Sequence, residues 1–372
     1  MPTKNRITTI LAEFWNQFQV TLFPHLTECL QEPLTEKLKQ FVRIAEIVRV
    51  EEYLQSPAWQ HMGRKEVNRQ WMARAFLAKA VYDLPTTDLL IEMLKLQPTL
   101  RRLCGFARNA DIPSASTFSR AFSEFAQMGL LDTVHAALIK EHVGDQTVMH
   151  VSRDSTEVDA REKPASKEKP VEQPAKKRGR PKRGEERPQK EPTRLQRQLK
   201  QTEAEALCEL PRVCDKGCKR DSKGNPHYWV GWKCHIDWAD GTIPLNVVTT
   251  SASLHDSQVA IPMMRRTAKR VTSMYQLMDS AYDAGPIHLV CQELDQVAII
   301  DPNPRRKESV PFDAATAVRF HERTTAERGN SRLKDGFGFR HLRVRGHPKA
   351  HLHLMFGILA LFADQLLKPI LS

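Results

Sequence analysis

"YWVGWKCHIDWADGTIPLNVVTTSAS", residues 228–253, reads as two strands joined by a tight turn. Aromatic and β-branched residues fill both runs. Asp240-Gly241 between them is a hairpin signal, since the favoured two-residue turns need the positive φ that glycine adopts freely. Upstream, "QTVMHVSRDST" (146–156) contributes the β-favouring stretch Val148 to Val151, followed by a polar cluster. Downstream, a helix is expected from near His255-Asp256 through "SQVAIPMMRRTAKR", then a short buried strand in "MYQLMD". A helix in "PIHLVCQEL" and a second buried strand in "QVAIID" follow, ending at Asp301-Pro302. Three strands in a row, then alternating strand and helix, predict an α/β unit: a mixed sheet covered by helices.

Residues 1 to about 143 read as helical, with apolar residues at spacings of three and four through "WMARAFLAKAVYDL" and "TDLLIEMLKLQPTLRRL". Ser114 or Ser116 is placed to cap the helix that follows. This predicts an all-α N-terminal domain, 1–143, serving DNA binding or dimerisation, ahead of a sheet domain at 144–372. Arg120 and its Ser/Thr cluster suit the start of a recognition helix, and a plain helical scaffold fits equally. The apolar run "LHLMFGILALFADQLL" (352–367) contains His353, Asp364 and Gln365 and is shorter than about 18 residues, so it reads as a core helix rather than a membrane span.

The net charge of +12 and pI of about 9.4 point to a polyanionic partner. The charge is concentrated: residues 161–200 hold 15 Lys and Arg against six acids. The rest of the chain carries only three of the twelve net charges. Residues 157–223 read as a basic, Pro-rich, disordered insertion in the sheet domain, because six prolines and almost no large apolar residue between 161 and 194 leave nothing to bury against the ordering entropy. Within "AKKRGRPKRGEERPQ" (175–189), Arg178 and Arg180, flanked by Lys177 and Lys182, form either a minor-groove hook for A·T-rich DNA or a nonspecific tether. Seven cysteines without a secretory leader in "MPTKNRITTILAEFWNQF" suggest a cytoplasmic protein, and their irregular spacing lacks the paired knuckles of a zinc site.

Three acids occupy chemically informative points. Asp154 follows the first strand, Asp279 ends the strand "YQLMD", and Glu327 lies in "FHERTTAERGNSRLKDGFG". On one continuous helix at about 100° per residue, Phe320, Arg323, Glu327 and Lys334 share an arc of roughly 60°. An acid flanked by two cations on one face suits metal binding beside a phosphate. Ionised carboxylates about 4 Å apart repel by roughly 4 kcal/mol at an effective dielectric near 20, so such a cluster needs cations. Hard oxygen ligands favour Mg²⁺ or Mn²⁺. No Ser/His/Asp array or phosphate-cradling glycine loop competes with this reading.

The run Phe320-x2-Arg323-x3-Glu327-x6-Lys334 resembles the Tyr-x2-Arg-x3-Glu-x6-Lys motif of bacterial insertion-sequence DDE transposases, in the group of insertion sequence families 4 and 5. "SRDST" and "MDSAYDA" resemble the segments carrying that family's first and second Asp. "GWKCHID", "IPLNVVTTSASLHDSQVA" and "IIDPNPRRK" resemble those between. Phe320 departs from the family's Tyr, and 48 residues from Asp279 to Glu327 leave no room for a large inserted domain. The resemblance covers about 145–367 and implies an RNase H-like fold, with Asp154, Asp279 and Glu327 as catalytic ligands of two Mg²⁺ or Mn²⁺ ions. It implies that Arg323 and Lys334 hold DNA phosphates. Water attack at the element's terminal inverted repeats and strand transfer of the 3′-hydroxyl into target DNA follow from it, within a homodimer. A non-catalytic DNA-binding relative and a nuclease without strand transfer are the alternatives.

Overall fold

The computed structural model describes residues 34–54, 67–144, 146–166, 191–220, 224–303 and 311–371. Among the described residues, six α-helices come first: α1 (Glu36–Val48), α2 (Arg69–Val81), α3 (Thr87–Leu96), α4 (Pro98–Cys104), α5 (Ala115–Met128) and α6 (Leu130–His142). Local chemistry sets their ends. The side chains of Thr35, Asn68 and Thr86 accept from the first-turn amides of α1, α2 and α3, satisfying donors that have no partner within the helix. Gly105 and Gly129 end α4 and α5 in the left-handed conformation.

The sheet comprises β1 (Thr147–Asp159), β2 (Asp215–Arg220), β3 (Pro226–Ala239), β4 (Ile243–Ser251), β5 (Thr272–Met278) and β6 (Val297–Ile300). β3 pairs antiparallel with β4 on one edge and β1 on the other, while β5 runs parallel to β1 and β6 parallel to β5. The order β4-β3-β1-β5-β6 is consistent with the expected RNase H-like sheet. The hairpin at Asp240-Gly241 is present, with Gly241 and Thr242 both at positive φ.

Remaining helices cover the sheet: α7 (Arg194–Lys200), α8 (Glu203–Cys208), α9 (Ser257–Ala268), α10 (Gly285–Glu293), α11 (Ala314–His321), α12 (Thr324–Gly336) and α13 (His347–Leu371). Residues 157–166 and 191–220 of the expected insertion are therefore more ordered than its composition suggests. β1 continues to Asp159, and 191–220 fold as α7, α8 and β2. Arg265 of α9 donates to the carbonyls of Gln198, Leu199 and Gln201 at the end of α7. Arg178, Arg180, Lys177 and Lys182 lie outside the described residues.

The helices α1 to α6 share one apolar core with α13 and one face of the sheet. Phe76, Phe118, Phe122 and Phe125 meet there, and Phe356 of α13 packs on Phe76 and Phe122. His135 of α6 hydrogen-bonds the Pro244 carbonyl at 2.9 Å, fixing these helices to β4. Asp364 of α13 accepts from Gln40 of α1 at 2.7 Å and Arg332 of α12 at 2.6 Å. The stretch 347–368 is long and apolar enough to cross a membrane, yet 72% of its most apolar window is buried inside the fold. Its apolar circumference is explained by core burial.

Across the sheet, on the α9 side, Arg153 of β1 and Asp237 of β3 form a fully buried bidentate pair at 2.7 and 2.9 Å. Thr267 of α9 donates to the same carboxylate at 2.5 Å. Asp237→Ala would leave a guanidinium buried and uncompensated, and is expected to cost about 3–5 kcal/mol. Urea unfolding measures this, with Arg153→Met/Asp237→Leu expected to cost much less; a single-variant loss below about 1 kcal/mol would refute the role of the pair.

Candidate active site

The site lies where β1 and β5 part. Their parallel pairing ends at Ser152↔Leu277, whereas β1 stays paired with β3 as far as Asp159↔Gly231. Two residues beyond that last β1–β5 rung, one strand carries Asp154 and the other leads to Asp279. The parallel register thus sets two carboxylates side by side at an open notch. Asp279 caps the short 3₁₀ turn Ser280–Tyr282, its Oδ1 accepting from the Ala281 amide at 2.9 Å.

Both acids resist ionisation. Burial pushes the Asp154 carboxyl up to about 6, and the charge of Asp279 adds to the rise; the Ser155 amide, Lys219 and Arg323 oppose it. Asp279 is raised by burial and by Asp256, against the Ala281 amide, Arg323 and Lys219. Two partly buried like charges are the arrangement that a hard cation relieves.

Glu327 comes from α12, which crosses β1 and β3. Gly329 allows that approach, since a Cβ there would lie 2.6 Å from the Trp238 ring. Ala326 and Leu333 are buried beneath the helix. Asn330, one turn after Glu327, donates from Nδ2 to Asp154 Oδ2 at 2.9 Å. Glu327 itself is turned outward, its Oε1 accepting from Arg323 Nη2 at 2.8 Å, with 56% of its side chain exposed. Among the described residues, no three His, Cys, Asp or Glu side chains come close enough to hold one metal ion. Asp154 and Asp279 fit a divalent cation by donor type and by their mutual repulsion, while Glu327 is paired with Arg323.

The expected single helix through the motif is broken. α11 ends at His321 and Arg323 is the N-cap of α12, so Phe320 belongs to the preceding helix. The Thr325 and Ala326 amides bond three residues back, to the carbonyls of Glu322 and Arg323, which tightens the chain into a 3₁₀-like turn between the two helices. Phe320 packs its ring near Phe312 and beneath the Arg323 guanidinium, so packing rather than a hydroxyl is its contribution. Lys334 reaches Glu157 of β1 at 3.1 Å.

Sequence reasoning gave Glu157 and Asp256 no role, yet both border the site. Asp256 pairs with Lys233 at 3.0 Å, lies 3.8 Å from the buried His235, and acts on Asp279. Asn330 was also missed. Its spacing of three from Glu327 on one helix face was the available signal.

Between about pH 4 and 6 the folded protein keeps a proton on Asp154 that the unfolded chain has released, so stability falls as pH rises through this window. Asp154→Asn preserves an acceptor for Asn330 and removes the charge. It is expected to raise the melting temperature of the metal-free protein at pH 7 more than at pH 4, with an upper bound on the order of 3 kcal/mol. Equal shifts at both pH values in calorimetry would contradict the burial of this charge.

Residues 150–363 match a family model described as a transposase DDE domain, and residues 28–124 match one described as a transposase domain (DUF772). No curated protein and no solved structure matches the chain.

Proposed function

The chain belongs to the transposase DDE domain family, whose model spans more than half of it, and from that premise we propose that Asp154, Asp279 and Glu327 are the catalytic triad of an insertion-sequence transposase. The group of insertion sequence families 4 and 5 is the proposed affiliation. The observation that carries this reading is the notch itself: two aspartates side by side past the last β1–β5 rung, with α12 held across them through Asn330 and Asp154. The helices of 1–143 are proposed to serve DNA binding or dimerisation. The acting species is proposed to be a homodimer, working in the cytoplasm on terminal inverted repeats and target DNA.

Two divalent cations, Mg²⁺ or Mn²⁺, would be held by these carboxylates and would supply Lewis-acid activation of the attacking oxygen and stabilisation of the leaving one. The residues of the chain do the positioning. Arg323 carries a guanidinium suited to bidentate phosphate binding, and a DNA phosphate that engages it competes with Glu327. That exchange frees the Glu327 carboxylate to turn toward Asp154 and Asp279. Lys334, a flexible ammonium now on Glu157, supplies a second phosphate contact. Asn330 keeps Asp154 oriented while the charges around it change. Water oxygen attacks the phosphorus at the element's end and the bond from phosphorus to the 3′-oxygen breaks; the released 3′-hydroxyl then attacks a target phosphorus in the same notch, and the target's own P–O3′ bond breaks to leave a target 3′-hydroxyl.

The test is cleavage and strand transfer on duplexes carrying the DNA that flanks the coding sequence, with Mg²⁺. Asp154→Asn, Asp279→Asn and Glu327→Ala should each lose roughly a hundredfold or more, since a metal ligand's contribution is several kcal/mol and each 1.36 kcal/mol is tenfold. Undiminished activity in any of them sinks the triad. Cutting without joining would favour a nuclease, and DNA binding without either would favour a non-catalytic relative.

The arm containing Lys177, Arg178, Arg180 and Lys182 is proposed to add sequence-tolerant affinity. Its attachments are firm: the Ala165 amide donates to the Cys214 carbonyl, and Arg194 bonds Gln258. Deleting 167–190 should therefore weaken DNA binding at moderate salt and reduce its salt dependence, leaving Mg²⁺-dependent cutting intact at low salt. Loss of cutting at low salt would contradict an accessory arm.

A further inference from the structure

The sheet leaves one end of β3 overhanging. β1 runs out at the rung Asp159↔Gly231, and β4 pairs with β3 only from Trp232 onward. Among the described strands, residues 226–230 are therefore paired with β2 alone, through rungs from Lys216↔Val230 to Arg220↔Pro226. Five residues at roughly 3.3 Å each carry this two-stranded ribbon about 16 Å past its neighbours.

A ribbon of two strands is marginally stable in water by itself, so it needs a brace. Trp229 supplies one from one face. Its buried ring packs on Gly217, where a Cβ would meet it at 2.3 Å, and its indole N–H donates to the Trp232 carbonyl at 3.2 Å. His227 stacks on Trp229 at 6.4 Å. At the base of the ribbon, the Cys214 carbonyl accepts from the Ala165 amide at 2.8 Å.

The other face is bare. Cross-strand partners share a face and successive residues alternate, so Lys216, Cys218 and Arg220 of β2 lie with Pro226 and Tyr228 of β3. All five are exposed, Tyr228 to 69%. Tyr228 stands opposite Cys218, which makes Lys216 and Arg220 its diagonal neighbours across the ribbon. Neither cation makes a side-chain hydrogen bond or ion pair with another described residue. Cations alone would keep an edge strand from pairing with a second sheet. A tyrosine displayed between them does not serve that end, whereas a polyanion with apolar sugar and base surfaces engages all three side chains. Lys216 and Arg220 are four residues apart, about 13 Å, against roughly 3.4 Å of axis per phosphate on one DNA strand. They therefore reach phosphates on either side of whatever Tyr228 touches. The major groove also admits a two-stranded ribbon.

We propose that the bare face of the β2–β3 ribbon is a duplex-DNA contact, with Lys216 and Arg220 on phosphates and Tyr228 against the sugars and bases between them. This rests on the reading of the protein as a transposase. The full-length protein tests it by binding, in Ca²⁺ across a salt series, to duplexes carrying the DNA that flanks the coding sequence. Lys216→Gln and Arg220→Gln should each reduce the slope of log affinity against log salt by about one, the amount set by one lost phosphate contact. Tyr228→Ala should weaken binding about tenfold at every salt concentration without changing the slope, and Tyr228→Phe should bind like the parent. Lys200→Gln, the same charge change at an exposed position on α7, should leave the slope as it is. An unchanged slope in either ribbon variant, an equal change in Lys200→Gln, or parent-like binding by Tyr228→Ala overturns the proposal. Altered self-association of Tyr228→Ala with unaltered DNA affinity also overturns it, giving the face to a second copy of this chain. A parent that binds no duplex sinks the transposase reading itself. If the parent binds and cuts and all three ribbon variants match it, only the ribbon contact fails.

Discussion

The buried pair of Arg153 and Asp237 is the constraint from which the geometry of the notch follows. These residues face each other in the β1–β3 register, and both are wholly inside the protein. A one-residue slip along β1 would expel the guanidinium from its partner and turn every side chain to the other face of the sheet. Asp154 follows Arg153 directly, so the ion pair on the α9 side dictates that Asp154 faces α12. The cost of desolvating two charges is met by bidentate geometry and by the hydroxyl of Thr267. Register, and with it the placement of the first acid, is set by electrostatics behind the sheet.

In front of the sheet the same physics acts in the opposite sense. Asp154 and Asp279 are crowded and partly buried without a bidentate cation between them, and both carboxyls are pushed upward as a result. Three nearby cations are committed elsewhere: Arg323 to Glu327, Lys334 to Glu157, Lys233 to Asp256. This arrangement stores unfavourable electrostatics at the notch that positive charge from outside relieves. Asn330 is neutral and buried, and it orients Asp154 without neutralising it.

Rigidity at the notch is supplied from a distance. Asp364 of the central helix ties α1 to α12, and the N-terminal helices share the core that supports α12 from below. Ala165 and Arg194, on either side of the basic stretch in sequence, are both anchored to the fold, through Cys214 and Gln258.

The order of strands and helices from β3 to β6, the hairpin at Asp240-Gly241 and the core character of 352–367 were all legible in the sequence. Each depends on local pattern: alternation, turn chemistry, helical spacing and motif order. The break between α11 and α12 was not legible, because the spacing of Phe320, Arg323 and Glu327 fits one uninterrupted helix. Nor was the folded part of 191–220, whose polar helices gain order from contacts with α9, including Arg265 on the end of α7. Asn330 and Asp256 join the site only through contacts between segments far apart in sequence. The sequence by itself determined which residues carry charge and which strands bear them. Tertiary structure alone decided which charges meet, because Coulomb and desolvation energies depend on distance and burial, and neither is a property of a linear chain.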